Sequence, residues 1–211
     1  MSSTPPAAYA ITGRPAACLT IAGPGATNLL TGLWDAKVDR APVLALTGQV
    51  DTQVLGPGAF QEIDQASAFA PVARFSQTVL RDSRHVELMN LACKNAIVDR
   101  DVAHLIFPDE VQTVPAAEAA ESGGPDGRLG DRAMLPATAV LGAALQRLKD
   151  ARRPVIVVGY GAVERMAEVV RLAEKLNAPV LTTFKAKGQI PDDHPLAAGV
   201  LGRSGTPVAS W

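Results

Sequence analysis

The chain has 211 residues, with 20 Lys and Arg against 21 Asp and Glu and a formal net charge of −1, so no basic face for nucleic acid is implied. Hydrophobic residues make up 47% and aromatics 4%, which fits an Ala/Val/Leu-rich α/β core arranged as one large or two small domains. No apolar run approaches the roughly 18–20 residues of a bilayer span, and the opening Met1-Ser2-Ser3-Thr4-Pro5-Pro6 lacks the basic start and apolar core of a secretion signal, so the cytoplasm is the expected compartment.

In chain order, residues 16–21 form the first short apolar run, followed by Gly23-Pro24-Gly25-Ala26-Thr27-Asn28 and then a helical pattern. This reads as a strand–loop–helix junction. Two glycines allow a sharp turn and close approach of a ligand, and Thr27 or Asn28 is placed to cap the helix. Exposed N–H groups at such a helix start attract anions and polar ligand edges. The alternative is simply a well-capped helix. Leu30, Leu33, Trp34 and Lys37 are expected on one face of that helix, with Trp34 in the core or at a subunit contact.

Residues 43–47 and 104–107 are further continuous apolar runs, expected as strands covered on both faces. After the first of them, Gln49 is a carboxyl-end loop residue. Glu62 and Asp64 look like an acid pair, but i and i+2 carboxylates do not face one another on a helix, so they read as solvated or capping residues. Val86, Met89, Cys93, Ala96 and Ile97 follow helical spacing. Cys18 and Cys93 read as small buried hydrophobes, not as a disulfide or metal pair. Strands alternating with helices imply a parallel sheet with right-handed crossovers.

From about 116 to 135 the pattern gives way to a linker composition rich in Ala, Glu, Ser and Gly. The expected division is therefore a first domain over 1–115, a linker over 116–135 and a second domain over 136–211. The second opens with a helix bearing Leu141, Ala144, Leu145 and Leu148. A strand over 154–158 then ends in Gly159-Tyr160-Gly161, and a helix carries Val163, Met166, Ala167, Val170 and Ala173. Asn177 ends that helix and 179–183 supplies the next strand. A ligand of this βαβ unit would sit beyond the carboxyl ends of its strands. Glu164 stands where an NAD fingerprint needs a third small residue, which argues against that cofactor. His194 reads as a turn residue. Lys185 and Arg203 are phosphate partners by charge, or ordinary surface cations.

The Gly23–Asn28 loop, the Ala41-Pro42-Val43-Leu44-Ala45-Leu46-Thr47-Gly48-Gln49-Val50 segment and Gly58-Ala59-Phe60-Gln61-Glu62-Ile63-Asp64 recur in one order. In that order and spacing the chain resembles the acetolactate synthase and pyruvate oxidase group of thiamine-diphosphate enzymes, from about Ala8 to its end. The resemblance implies an α/β fold: an incomplete parallel-sheet, pyrimidine-binding-type domain followed by part of a Rossmann-like middle domain. It places Gly23, Pro24, Gly25, Ala26, Asn28 and Gln49 near the pyrimidine side of thiamine diphosphate, and Phe60 and Gln61 beside a 2-oxo acid substrate such as pyruvate. Gly159, Tyr160, Gly161, then Thr183, Phe184, Lys185, then Leu201, Gly202, Arg203 would border FAD or ADP, which some members of the group hold.

The same resemblance implies Mg²⁺ in the complete enzyme and a homo-oligomer. The family's glutamate would fall ahead of Met1, residues 2–8 contain no carboxylate, and the Gly-Asp-Gly…Asn magnesium motif would fall beyond Trp211. A chain truncated at both ends is expected, with no catalytic or metal-binding residue assigned in it and no tight cofactor binding alone. Carboligation and oxidation of the 2-oxo acid both stay open. The alternative is a non-catalytic FAD- or ADP-binding remnant or regulatory module.

Overall fold

The structure, a computed structural model, describes residues 8–9, 12–115 and 134–210. The linker expected over 116–135 therefore lies almost wholly outside the described residues. Two compact units are present, Met1–Asp131 and Arg132–Trp211.

In the first unit, β1 (Ala16–Thr20), β2 (Val43–Gln49), β3 (Ala73–Thr78) and β4 (Val102–Pro108) form an all-parallel sheet in the order β1-β2-β4-β3. The helices are α1 (Pro24–Val38), α2 (Gln65–Phe69), α3 (His85–Asp99) and α4 (Asp109–Gln112). One side of the sheet packs Val43, Ala45 and Val102 against Ala26, Leu33 and Ala36 of α1 and Phe69 of α2. The other packs Ala103 and Leu105 against Ala92 and Ala96 of α3.

Burial differs from the sequence expectation in several places. β4 is buried almost throughout, but β1 is an edge strand: its Leu19 and the Ile21 that follows it are 75% and 63% exposed, so the run over 16–21 is not covered on both faces. Small side chains set the helix faces. Along α1 the buried residues are Ala26, Gly32, Leu33 and Ala36, while Trp34 is 51% exposed and is not core. On α3 the inward stripe is Leu88, Met89, Ala92 and Ala96, and Val86 is exposed. β3, Ala-Arg-Phe-Ser-Gln-Thr, is too polar to announce itself by its sequence; it is a strand because β4 supplies its ladder.

The second unit contains α5 (Thr138–Asp150), β5 (Ile156–Val158), α6 (Met166–Leu176), β6 (Val180–Thr182) and β7 (Ala197–Val200). Its sheet is parallel in the order β5-β6-β7. Val158, Met166, Ala173, Val180, Ala186 and Ile190 form its core. A 3₁₀ turn over Tyr160–Arg165 follows β5, so α6 starts at Met166; Val163 precedes the helix and Ala167 is exposed. The strand β7 was not legible in Ala197-Ala198-Gly199-Val200. Every residue of α5 is exposed, including the Leu141, Leu145, Leu148 stripe.

Helices α1, α3 and α6 end alike. Arg40, Arg100 and Asn177 adopt φ values of 54°, 52° and 49°. The next residue's N–H then reaches back to the last turn: Ala41 to Ala36 O, Asp101 to Ala96 O and Ala178 to Ala173 O. This satisfies carbonyls the helix leaves open and returns the chain to the next strand.

Both cysteines are free and half-buried. Burial pushes the Cys18 thiol up to about 11 and raises that of Cys93. His194 sits in a turn, its Nδ1 accepting from Leu196 N, with Glu174 3.5 Å from its Nε2. Among the described residues no helix is long and apolar enough to cross a membrane.

Candidate functional site at the carboxyl edge of the first sheet

The carboxyl ends of β1, β2 and β4 open into a concavity of about 940 Å³ whose wall includes Leu19, Ile21, Leu46, Gln49, Gln61 and Phe107. The chain turns from β1 into α1 at Gly23, with φ +60°, and Pro24 is the first residue of the helix. Pro suits this position, because its missing N–H would have had no helical partner. Thr27 and Asn28 therefore lie inside α1 and do not cap it. Thr27 instead turns its hydroxyl back to Pro24 O at 3.2 Å.

Packing explains the glycines here. A Cβ on Gly23 would lie 2.8 Å from Gln61 O, and one on Gly25 would lie 2.7 Å from Ile21 Cγ2. On Gly48 it would approach Ala22 N at 3.3 Å. The two loops and the helix start thus close on one another through bare backbone. Gln61 itself holds φ +68°, a conformation rare for a residue with a side chain.

Of the residues predicted to face a cofactor or substrate, Gln49 and Gln61 line the concavity. Gly25 is half-buried, Pro24 and Asn28 are exposed, and Ala26 is fully buried in the core. Phe60 is 88% exposed at the tip of the loop over 50–63. Gln49 is held in place: its Nε2 donates to Ile63 O at 2.8 Å and its Oε1 accepts from Val50 N at 3.0 Å. The carboxylates are structural, in keeping with the capping reading. Asp64 caps α2: it accepts from the Ser67 hydroxyl and from Ser67 N, and these bonds lower its pKa. Glu62 accepts from Gly56, Gly58 and Ala59, and those backbone bonds lower its pKa too. Glu110 accepts from the Thr52 hydroxyl and N–H, tying the loop to α4.

Beneath this rim lies a buried polar chain that the sequence reading missed. Gln65 Nε2 donates to Gly48 O at 2.6 Å. Thr47 Oγ1 donates to Gln65 Oε1 at 2.5 Å and lies 2.8 Å from His104 Nε2. Because the threonine proton is used on Gln65, His104 must donate from Nε2, and its Nδ1 then accepts from Ser76 Oγ at 3.0 Å. His104 is fully buried, stacks on Phe69 at 3.9 Å, and burial pushes its pKa down to about 4. A lone polar residue inside an apolar strand was the available signal.

In the second unit, the three segments predicted to border a nucleotide all fall at the carboxyl edge of one sheet. Gly159–Gly161 follows β5, Thr183–Lys185 follows β6 and Leu201–Arg203 follows β7. Thr183 N donates to Val158 O and Leu201 N to Thr182 O, each at 2.8 Å. Gly202, at φ +141°, lies against the Phe184 ring. A Cβ on Gly159 or Gly161 would meet nothing within 4 Å.

Residues 6–68 match the model of the thiamine pyrophosphate enzyme N-terminal TPP binding domain, and residues 141–211 match that of the central domain. The chain belongs to the thiamine pyrophosphate enzyme family. It is 33% identical over 207 residues to the acetolactate synthase isozyme 1 large subunit of Escherichia coli, covering 92% of this chain and 34% of that one. It is 36% identical over 198 residues to the acetolactate synthase of Arthrospira platensis, at 92% and 34% coverage. YdaP of Bacillus subtilis, described as thiamine pyrophosphate-containing, is 37% identical over 199 residues, at 94% and 34%. The chain thus spans about a third of the length of the curated relatives it matches.

The first unit's concavity offers a thiamine pyrophosphate enzyme an apolar wall and side-chain amides. It also offers the Thr20 hydroxyl, buried without a hydrogen-bond partner. These suit a flat heteroaromatic ring such as the pyrimidine. They do not suit the diphosphate: the charged residues of the wall are Asp51 and Asp109, with no Lys or Arg. Among the described residues, moreover, no cluster of His, Cys, Asp or Glu is arranged to hold a metal ion.

Proposed function

We propose that this chain forms the pyrimidine side and part of the middle domain of an enzyme that decarboxylates a 2-oxo acid such as pyruvate. Transfer of the two-carbon product to a second 2-oxo acid, as in acetolactate synthesis, is the favoured outcome, and oxidation the other. The observation that carries this reading is the Gly23–Pro24 turn, closed against Gln61 over an apolar concavity at the carboxyl edge of a parallel sheet. It lies within the stretch that matches the family's TPP binding domain.

Thiamine diphosphate, when bound, supplies the electron sink for loss of carbon dioxide. Within that scheme Gly23, Gly25 and Gly48 let the turn after β1 and the end of β2 pack closely beside the ring's site, and Gln49 orders the rim. Phe60 shields the reacting carbon from water, and the Gln61 amide holds a substrate oxygen. The diphosphate with its Mg²⁺ is assigned to residues outside this chain, because octahedral oxygen ligation needs carboxylates and amides that the concavity does not gather. In the second unit, the sheet edge after β5, β6 and β7 is assigned to FAD or ADP, with Lys185 and Arg203 toward the phosphates. A homo-oligomer in the cytoplasm completes the reading.

The test starts from the coding frame on both sides of these 211 codons. If it continues to an upstream glutamate and a downstream Gly-Asp-Gly…Asn motif, the complete product, given pyruvate, thiamine diphosphate and Mg²⁺, should release carbon dioxide and form acetolactate. Absence of pyruvate turnover would sink the proposal. For the 211-residue chain alone, calorimetric titration with thiamine diphosphate and Mg²⁺ should show no tight binding. Micromolar, Mg²⁺-dependent heat would refute the assignment of the diphosphate end elsewhere.

A further inference from the structure

The loop between β2 and α2 turns a carboxylate inward onto its own backbone. Glu62 Oε1 accepts from Gly56 N at 2.6 Å, and Oε2 accepts from Ala59 N at 2.8 Å and Gly58 N at 3.0 Å. The Glu62 N–H in turn donates to Ala59 O at 2.9 Å, so backbone and side chain close the same turn. Convergence of three amides on one carboxylate needs an unusual backbone, and Gly56 and Gly58 supply it at φ +108° and +84°. Bonds of this kind to an ionised acceptor are stronger than those between neutral groups.

What the closed turn carries is the informative part. Phe60 and Gln61 stand immediately before Glu62. The Phe60 ring is 88% exposed, so packing does not fix it and its place depends on the backbone beneath it. Gln61 holds φ +68° with its backbone against Gly23, a conformation that persists only where its surroundings impose it. We propose that Glu62 is a positioning residue whose carboxylate clamps residues 56–59 and so fixes Phe60 and Gln61 at the rim of the concavity. The clamp stands on geometry alone; its service to a 2-oxo acid rests on the function proposed above.

Glu62→Gln is nearly isosteric but keeps one acceptor oxygen and turns an N–H₂ toward an amide donor. Glu62→Ala removes both acceptors. In the 211-residue chain, amide exchange at Gly56, Gly58 and Ala59 should accelerate on the order of tenfold or more in Glu62→Ala and by less in Glu62→Gln, while β2 and β4 keep their protection. Exchange unchanged from the parent in Glu62→Gln would overturn the clamp, and that variant decides the matter if Glu62→Ala fails to fold. In the complete, active protein, Glu62→Gln should raise KM for the 2-oxo acid about tenfold with kcat within about twofold. An unchanged KM would overturn the positioning role. Were the parent to turn over no 2-oxo acid, the functional reading would fail while the exchange data still decided the clamp.

Discussion

The two units share a parallel sheet with its candidate site at the carboxyl edge, yet they secure that edge differently. In the first, side chains do most of it, beside the backbone bond from Val79 N to Ile106 O: Gln65 to Gly48 O, Gln49 to Ile63 O, Glu62 to three amides and Glu110 to Thr52. In the second, backbone does much of it, Thr183 N to Val158 O and Leu201 N to Thr182 O. A rim set by polar side chains is specified by residue identity. One set by ladder extensions is specified by topology and tolerates more sequence change. Substitution and pH should therefore separate the two units.

The largest separation is expected at Thr47. Thr47→Val keeps the shape but strands Gln65 Oε1 and the His104 N–H in a site of zero exposure. Unsatisfied buried groups of this kind cost about 3 kcal/mol together, read as a lower urea midpoint for the first unit. An unchanged midpoint would mean that the chain of bonds is not stabilising.

pH should act on the same chain. Burial holds the His104 pKa down to about 4, against 6.5 for the free side chain. Between those values the unfolded state binds the proton and the folded state does not, so stability falls as pH drops from about 6.5 toward 4. Below about 4 both states are protonated and the slope ends. The full span is at most about 3 kcal/mol. Urea midpoints of the first unit across pH 5 to 7, above the range in which the carboxylates titrate, should show the slope, and His104→Asn should remove it there whatever its own cost.

A glycine pair gives the next contrast. Gly23→Ala forces a Cβ to 2.8 Å from Gln61 O at φ +60° and should cost about 1–3 kcal/mol. Gly159 and Gly161 open onto empty space at ordinary φ, so Ala at either should leave the melting temperature within about 2 °C. If the carboxyl edge of the second sheet holds a nucleotide against bare backbone, Gly161→Ala should nevertheless weaken FAD or ADP retention. Flavin absorbance of the purified complete protein decides this for FAD, and calorimetric titration with ADP decides it for ADP.

These contrasts show how far the sequence could be read. The strands β1, β2, β4, β5 and β6 were legible because each is a short continuous apolar run, although β1 and β5 are only partly buried. The strands β3 and β7 were not, because Arg74, Ser76 and Gln77, or Ala and Gly, lack that mark and rely on a neighbouring strand. The Gly23 loop was legible as a turn, but its helix start was misplaced: Pro24 begins α1, where Thr27 and Asn28 had looked like caps. The three nucleotide-side segments came from the family resemblance, and the structure finds each of them directly after a strand of one sheet. The His104–Thr47–Gln65 chain could not, since its members lie 57 and 18 residues apart in sequence and only register brings them together.

The smallest expected effect on stability lies at α5, where it carries the most information about association. Leu141, Leu145 and Leu148 are 47%, 48% and 39% exposed, one helical stripe that nothing described in its unit covers. Replacing Leu141 and Leu145 by Glu removes almost no buried contact, so unfolding should shift by no more than about 0.5 kcal/mol. A contiguous apolar stripe in water favours association, however. The 211-residue chain should therefore sediment as oligomers, and the double variant should shift toward monomer. A parent chain that sediments as a single monomer would show that the stripe does not drive self-association. Equal oligomerisation of parent and variant would move the cause to the first unit, where Leu19 and Ile21 lie bare beside the open edge of β1.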